Sequence, residues 1–179
     1  MHDFGVPRLS ALSIRDAGRS DWPTILALNE EAVHFLSPMD EALLAKFAEA
    51  ARYLRVIDED GALAAFLLAF RKGDDYAGTN FAWFAARFDD FLYVDRVVVA
   101  PAFRGRKLAD VLYDDLETFA RGTGVSRLTC EVNIAPPNPV SLRFHARRGF
   151  REVGQVPYAA KTVAMLACEA LGRGAIRRL

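Results

Sequence analysis

Apolar residues recur along the chain at two spacings, and the alternation between them predicts the order of elements. Ala11 to Arg15 reads as a short first strand. Ile25, Leu26, Leu28 and Ala32 then form a helical stripe behind Ser20, the expected N-cap, with Asp21 and Pro23 in the first turn. His34 to Pro38 connects it to a second helix, capped by Asp40, with Leu43, Leu44 and Phe47 as its apolar face. Tyr53 to Ile57, the turn Asp58-Glu59-Asp60-Gly61 and Ala62 to Phe70 predict a hairpin. The unbroken apolarity of the returning strand predicts burial on both faces. Arg71 to Gly78 is polar and reads as a loop. Asn80 to Phe91 crowds five aromatics without clear periodicity and is assigned no element. Leu92 to Val99 is a β-branched strand closed by Pro101. Lys107 to Ala120 is the strongest helix, with Leu108, Val111, Leu112, Leu116 and Phe119 on one face and Gly122 as a stop. Arg127 to Val132 follows as a strand. Asn138 then caps a helix that opens on Pro139 and ends at Arg148-Gly149. Phe150 to Val153 and Thr162 to Leu166 complete the pattern as two last strands. Strands and helices interleaved in this order predict an α/β fold with helices on the faces of a mixed sheet.

Composition narrows the class. A hydrophobic fraction of 52% over 179 residues supports one domain, residues 1–179, with a sizeable core. Lys+Arg and Asp+Glu are balanced at 23 each, which disfavours nucleic acid or an anionic membrane as partner. The start, Met1-His2-Asp3-Phe4-Gly5-Val6-Pro7, lacks the basic and apolar regions of a secretory signal, and the longest apolar run, Ala62 to Phe70, is too short for a membrane span. Cys130 and Cys168 match no metal-ligand spacing, so no metal is expected, and a reducing cytoplasm is the expected location. Cys130 lies in an alternating stretch and reads as a buried strand residue.

The chemistry concentrates at Val97-Val98-Val99-Ala100-Pro101-Ala102-Phe103-Arg104-Gly105-Arg106-Lys107-Leu108-Ala109. A strand runs into a basic turn that opens a helix. Free N–H groups and partial positive charge at a helix start suit phosphate. Gly105 permits close approach, Arg104, Arg106 and Lys107 add full charges, and Ala109 is small. The two common nucleotide patterns, Gly-x-x-x-x-Gly-Lys-Ser/Thr and Gly-x-Gly-x-x-Gly, are absent.

This segment resembles the acetyl-CoA motif of GNAT acetyltransferases, Gln/Arg-x-x-Gly-x-Gly/Ala. Arg104 stands at its first position and Ala109 at its last; Lys107 departs from the usual Gly, and a Lys disfavours a positive φ there. About thirty residues on, Asn138-x-x-Ser141-Leu142-x-Phe144-His145-x-x-x-Gly149-Phe150 resembles the family element Asn-x-x-Ala-x-x-x-Tyr-x-x-x-Gly-Phe. The resemblance implies a mostly antiparallel seven-stranded sheet flanked by about four helices, with acetyl-CoA as co-substrate and an amine as acceptor. It implies that Val97, Val98 and Val99 pair with the pantetheine arm and that backbone groups of Arg104, Gly105, Arg106, Lys107, Leu108 and Ala109 hold the pyrophosphate. Asn138 and Ser141 would contact the cofactor, with a pure helix cap the competing role for Asn138.

Amine acetylation needs a base, because a free amine of pKa about 10 is protonated at neutral pH, and it benefits from a proton donor to the leaving thiolate. The family's usual Tyr donor is replaced by His145, which is the expected acid. Asp95 is the expected base, and an ion pair with Arg96 is its competing role. Glu131 is expected to face solvent or a structural partner. His34, Phe81, Trp83 and Phe84 are candidates for the acceptor site; for the aromatic segment, ordinary core or a homodimer seam is the alternative. No Ser or Cys stands with a His and an acid for a covalent route, so direct attack is expected. The rival reading is a non-catalytic acyl-CoA-binding or sensing module.

Overall fold

A computed structural model describes residues 12–158 and 160–170, so Ala11 and the N-terminal residues lie outside the described residues. The elements are β1 (Leu12–Asp16), α1 (Trp22–Glu31), α2 (Glu41–Ala50), β2 (Tyr53–Glu59), β3 (Ala62–Arg71), α3 (Thr79–Ala85), β4 (Leu92–Val99), α4 (Leu108–Gly122), β5 (Arg127–Ala135), α5 (Pro139–Arg147), β6 (Arg151–Tyr158) and β7 (Lys161–Glu169). The strands form one seven-stranded sheet in the order β1-β2-β3-β4-β5-β7-β6. Every pairing is antiparallel except β4 with β5.

The parallel pairing is short. It holds only at Leu92↔Leu128 and Tyr93↔Thr129, after which the two strands part. The pairing of β3 with β4 steps from Leu68↔Arg96 to Ala69↔Val94, so Asp95 is an extra residue on β4 with no partner opposite. Such a bulge bends its strand and steepens the local twist. It also breaks the alternation of side chains. Tyr93 and Val98 join the core beneath α1, α2 and α3, whereas Val94 joins the core beneath α4. With Asp95 inserted, Arg96 falls on the α1 side and bonds Asn29 of that helix.

Local signals account for most elements. Asp40 caps α2 by accepting from the Leu43 N–H at 2.8 Å, and Asn138 caps α5 by accepting from the Ser141 N–H at 3.1 Å. The start of α1 differs from expectation. A 3-10 turn at Arg19–Asp21 precedes it, Ser20 lies inside that turn, and Asp21 is the N-cap residue. The reason is electrostatic: Asp21 accepts from the Gly18 N–H and both terminal nitrogens of Arg15, which pins the turn. Residues Ala64 to Phe70 are fully buried, as the continuous apolar run requires.

The aromatic segment holds α3, a fifth helix. Phe81, Phe84 and Phe88 stand at i, i+3 and i+7, so one face carries the rings into the core against Phe91 and Tyr93. Trp83 leaves that face and lies on Gly154 of β6, where an added Cβ would come within 2.6 Å of the indole. Arg87 stacks on the indole at 3.8 Å. Gly154→Ala therefore overpacks a pinned ring. It should cost about 1–3 kcal/mol, read as a lower urea midpoint at unchanged slope.

Candidate active site

The parting of β4 and β5 opens a cleft of about 1520 Å3 that runs from the start of α4 to the loop between α1 and α2. Along it, the β4 edge facing β5 carries no partner strand beyond Tyr93. Backbone groups on such an edge require hydrogen-bond partners. Val97, Val98 and Val99 all line the cleft. At one end stands the first turn of α4, whose N–H groups have no partner within the helix. Arg104, Gly105, Lys107, Leu108 and Ala109 line this end.

Lys107 corrects the expectation drawn from its side chain. It is the residue before α4 and sits in the left-handed region at φ 61°, ψ 22°, so the backbone adopts what a Gly would adopt there. Arg106 also differs. Its guanidinium turns away from the cleft, pairs with the buried Glu59 at 2.9 Å and lies over Phe103. Arg104 stays at the mouth, exposed, with Nε 3.4 Å from the Val99 carbonyl. The helix start is held in place by Arg148, whose buried side chain binds Asp110, Asp114 and Glu117 of α4 at 3.1, 2.7 and 2.6 Å.

The two residues expected to move protons are both engaged. Asp95 accepts from the Tyr76 hydroxyl and pairs with Arg96 at 2.5 Å, with both partners of the pair almost fully buried. The ion pair weighed against catalysis is thus present. His145 lines the cleft but is 3% exposed. Its Nδ1 lies 2.9 Å from the Ser141 carbonyl, which only accepts, so Nδ1 carries the proton. Nε2 then accepts from the Tyr113 hydroxyl at 2.7 Å. Neither nitrogen offers a proton to the cleft in this arrangement. Burial lowers the imidazole pKa to about 4, which keeps the ring neutral. Asn138 and Ser141 line the cleft, although the Asn138 side chain is spent on the helix cap.

The acceptor candidates also fall elsewhere. Phe84 is fully buried and Phe81 nearly so, Trp83 covers β6, and none of the three reaches the cleft. They are core because α3 points its ring face inward. The His34 side chain is exposed outside the cleft, and its carbonyl accepts from Lys161 at 3.4 Å. In their place the cleft is walled by Phe35, Leu36, Leu43, Phe47 and Tyr76.

Glu131 is the residue that sequence reasoning missed. Alternation puts Leu128, Cys130 and Val132 into the α4 core, so Glu131 takes the opposite face. That face is not open, because α3 covers it. Glu131 lines the cleft; Oε1 accepts from the Tyr93 hydroxyl at 2.9 Å, and Oε2 is buried without a partner. Burial raises the carboxyl pKa to about 7, with Asp95 adding repulsion and Tyr93 and Asn80 opposing it. Tyr76 and Tyr113 also lie within its field. The available signal was the i, i+3, i+7 spacing of Phe81, Phe84 and Phe88.

A sheet split at its one parallel pair, with a helix start at the head of the split, offers a cleft suited to an extended phosphate-bearing cofactor. The model of the Acetyltransferase (GNAT) family matches residues 16–150, and the chain belongs to that family. That family is one of acetyl-CoA-dependent N-acetyltransferases, and the free β4 edge, the α4 start and the basic mouth fit that co-substrate. Among solved structures it is similar to Ard1 from Thermoplasma volcanium, at TM-score 0.73 and 16% identity over 90% of this chain and 99% of that one. It is similar to the ribosomal-protein-S18-alanine N-acetyltransferase from Escherichia coli, at 0.67 and 16% over 94% and 100%. It is also similar to yncA from Salmonella typhimurium, solved with its cofactor acetyl-CoA, at 0.69 and 20% over 93% and 98%. No curated protein sequence matches the chain. Among the described residues no helix is long and apolar enough to cross a membrane.

Two measurements test the site's physics. A non-Gly residue at φ 61° costs roughly 1–2 kcal/mol, more when β-branched. Lys107→Gly should keep stability and acetyl-CoA affinity, whereas Lys107→Val should lose at least about 1 kcal/mol by urea unfolding. The second concerns pH. His145, lowered from 6.5 to about 4, contributes stability that is present above pH 6.5 and lost as pH falls toward 4. Glu131, raised from 4.5 to about 7, contributes stability that is present below pH 4.5 and lost as pH rises through 7. At about 1.4 kcal/mol per tenfold change in proton affinity, each amounts to about 3 kcal/mol, and they oppose one another between pH 4.5 and 6.5. Wild-type stability should be nearly flat across that window as far as these two groups are concerned. Glu131→Gln should expose the His145 slope and lose about 2–3 kcal/mol on acidification.

Proposed function

We propose that the protein acetylates a primary amine of a small molecule or peptide by direct attack, with Glu131 as the base in place of the expected Asp95. The observation that supports this is the Glu131 carboxylate: buried in the gap between β4 and β5, open at Oε2, and titrating near neutrality. A base works best when its pKa lies near the working pH. Asp95 is already held by a cation and a phenol and has less to offer an ammonium.

When bound, acetyl-CoA supplies an electrophilic thioester carbon and a leaving thiol that is acidic enough, with pKa about 8.5 for a simple thiol, to depart with little assistance. The chain's residues do the rest. The β4 edge fixes the arm in extended form, as an added strand. The N–H groups at the start of α4 face the pyrophosphate. Glu131 Oε2 takes one proton from the ammonium and frees the lone pair. The nitrogen's second departing proton goes by way of water to the thiolate, so the products are the N-acetyl amine and a free thiol. His145 and Tyr113 hold each other and brace α5 against α4.

A second reading keeps the cleft for acyl-CoA binding or sensing without turnover. The engagement of both Asp95 and His145 favours it. Coenzyme A release across a panel of primary amines decides between the two. Turnover with at least one amine is expected, and Glu131→Gln should lower kcat by 10²–10⁴ and remove the limb of the pH profile near pH 7. Binding of acetyl-CoA without turnover on any amine would establish the sensing module. His145→Phe should reduce stability more than kcat, because the ring's bonds lie within the protein.

A further inference from the structure

Four side-chain atoms among the described residues are buried without a hydrogen-bond partner: Glu59 Oε2, Asn80 Oδ1, Glu131 Oε2 and Arg148 Nε. Glu59 and Arg148 are ion-paired through their other atoms. Asn80 and Glu131 have no ion pair among the described residues, and both line the cleft.

The two are neighbours. Asn80 is the second residue of α3, and its amide lies near enough to the Glu131 carboxylate to hold down that group's proton affinity. An amide facing a carboxylate must present its NH₂ side, so Oδ1 is the atom turned away. The two buried atoms that the pair leaves unpartnered are therefore both acceptors. The other cleft-lining acids have their cations: Asp95 pairs with Arg96 and Asp110 with Arg148. Glu131 lacks one. A buried carboxylate without a cation, beside a second unmatched acceptor, calls for a ligand that carries both positive charge and several N–H groups.

We propose that Asn80 Oδ1 and Glu131 Oε2 form the seat for the acceptor's nitrogen, and that Asn80 is the positioning residue that selects a primary ammonium on an apolar body. The proposal rests on the reading of the cleft given above. A primary ammonium has three donors and no acceptor, so it satisfies both oxygens at once. A hydroxyl or thiol offers one donor and no charge. A quaternary ammonium offers charge alone. Once Glu131 has taken one proton, Asn80 still holds a second N–H, which keeps the freed lone pair aimed along the cleft. The apolar body follows from the wall on the same face, where Phe47 packs on Tyr76 at 5.4 Å and Phe35 is 53% exposed at the mouth.

The test compares 2-phenylethylammonium with its N,N,N-trimethyl counterpart, which matches it in ring and charge but has no N–H donor. Binding to the full chain is read by ¹³C NMR of labelled glutamate carboxyls, following the Glu131 resonance with pH. That carboxyl is faced by Tyr93 and Asp95 from β4, Tyr76 from the loop before α3 and Asn80 from α3, with Tyr113 of α4 and Cys130 of β5 also within its field. The primary amine should bind at least tenfold more tightly than the trimethyl compound and should pull the Glu131 midpoint below its free value of about 7. Asn80→Leu should remove that preference while acetyl-CoA affinity is kept. Asn80→Asp retains an acceptor and should preserve the preference, with the Glu131 midpoint raised by the added charge. Equal affinity of the two amines for the wild type overturns the proposal without recourse to any variant. An unchanged preference in Asn80→Leu overturns it as well. Because binding is read without turnover, undiminished kcat in Glu131→Gln would remove the base and leave the seat to be judged on its own data.

Discussion

The architecture depends on the parting of two parallel strands. β4 and β5 share two residue pairs and then diverge. A sheet interior rarely tolerates this, because each separated strand keeps a row of N–H and C=O groups that must be satisfied. The divergence persists here because several features act together. The extra residue at Asp95 bends β4. The far side of β5 is tied along most of its length to β7, from Arg127↔Glu169 to Ala135↔Thr162. The helix at the head of the gap is clamped to the C-terminal end of α5 by Arg148 and three carboxylates. On the proposed reading the free edge is the template for an extended partner, acetyl-CoA.

The same bulge sets the charges of the cleft. In a regular strand Asp95 and Arg96 would face opposite sides of the sheet. With one residue inserted they share a side and pair at 2.5 Å, and Arg96 reaches Asn29 and so ties β4 to α1. A buried pair of this kind is close to neutral in net stability, because desolvation offsets attraction, yet breaking it is costly. Its effect is on placement. It consumes Asp95 and leaves Glu131, on the facing strand, as the carboxylate whose charge no side chain among the described residues balances. Glu131 keeps one carboxylate oxygen unpartnered and has its proton affinity raised by burial, which suits it to the role of base proposed above.

How much of this was legible follows from how local each signal is. Caps, stripes and turn residues act within a few positions, and they placed six of the seven strands and helices α1, α2, α4 and α5 to within a few residues, whereas β6 runs to Tyr158, five residues past the expected Val153. The cofactor end of the cleft is likewise local, a strand, a turn and a helix start in one run of chain. The acceptor end is not. It is assembled from the loop after α1, the loop before α3, β4 and β5, and the spacing of Asn80 from Glu131 along the chain carries no trace of their contact. One error propagated through it. With no helix assigned to Asn80–Phe91, the polar face of β5 seemed open to water, and a carboxylate on an open face has no reason to shift its pKa. Covering that face with α3 turns the same Glu131 into a buried acid. The ion pairs of Arg106 with Glu59 and of Asp95 with Arg96 show the same limit. A side chain's type predicts what it can bind, and its neighbours decide what it does bind.

Lys107 shows how such a decision leaves a mark in the backbone. Leu108, the next residue, is 2% exposed and must enter the core as α4 begins, while the turn at Pro101–Phe103 delivers the chain from the end of β4. The left-handed conformation between them is imposed by these two fixed points, and strain of this kind survives only where the surroundings over-determine it. Lysine pays there twice. Its Cβ disfavours φ 61°, and its charge stands at the positive end of a 15-residue helix, where a cation is disfavoured by about 0.3–1 kcal/mol. A glycine would avoid both. The second cost reverses sign when an anion lies against the same helix start, since the ammonium and the helix then attract it together. On the proposed reading that anion is the pyrophosphate of acetyl-CoA. The residue that departs from the family's Gly therefore adds charge to the loop without altering its shape, and the loop's geometry belongs to the backbone path rather than to the side chain at its apex.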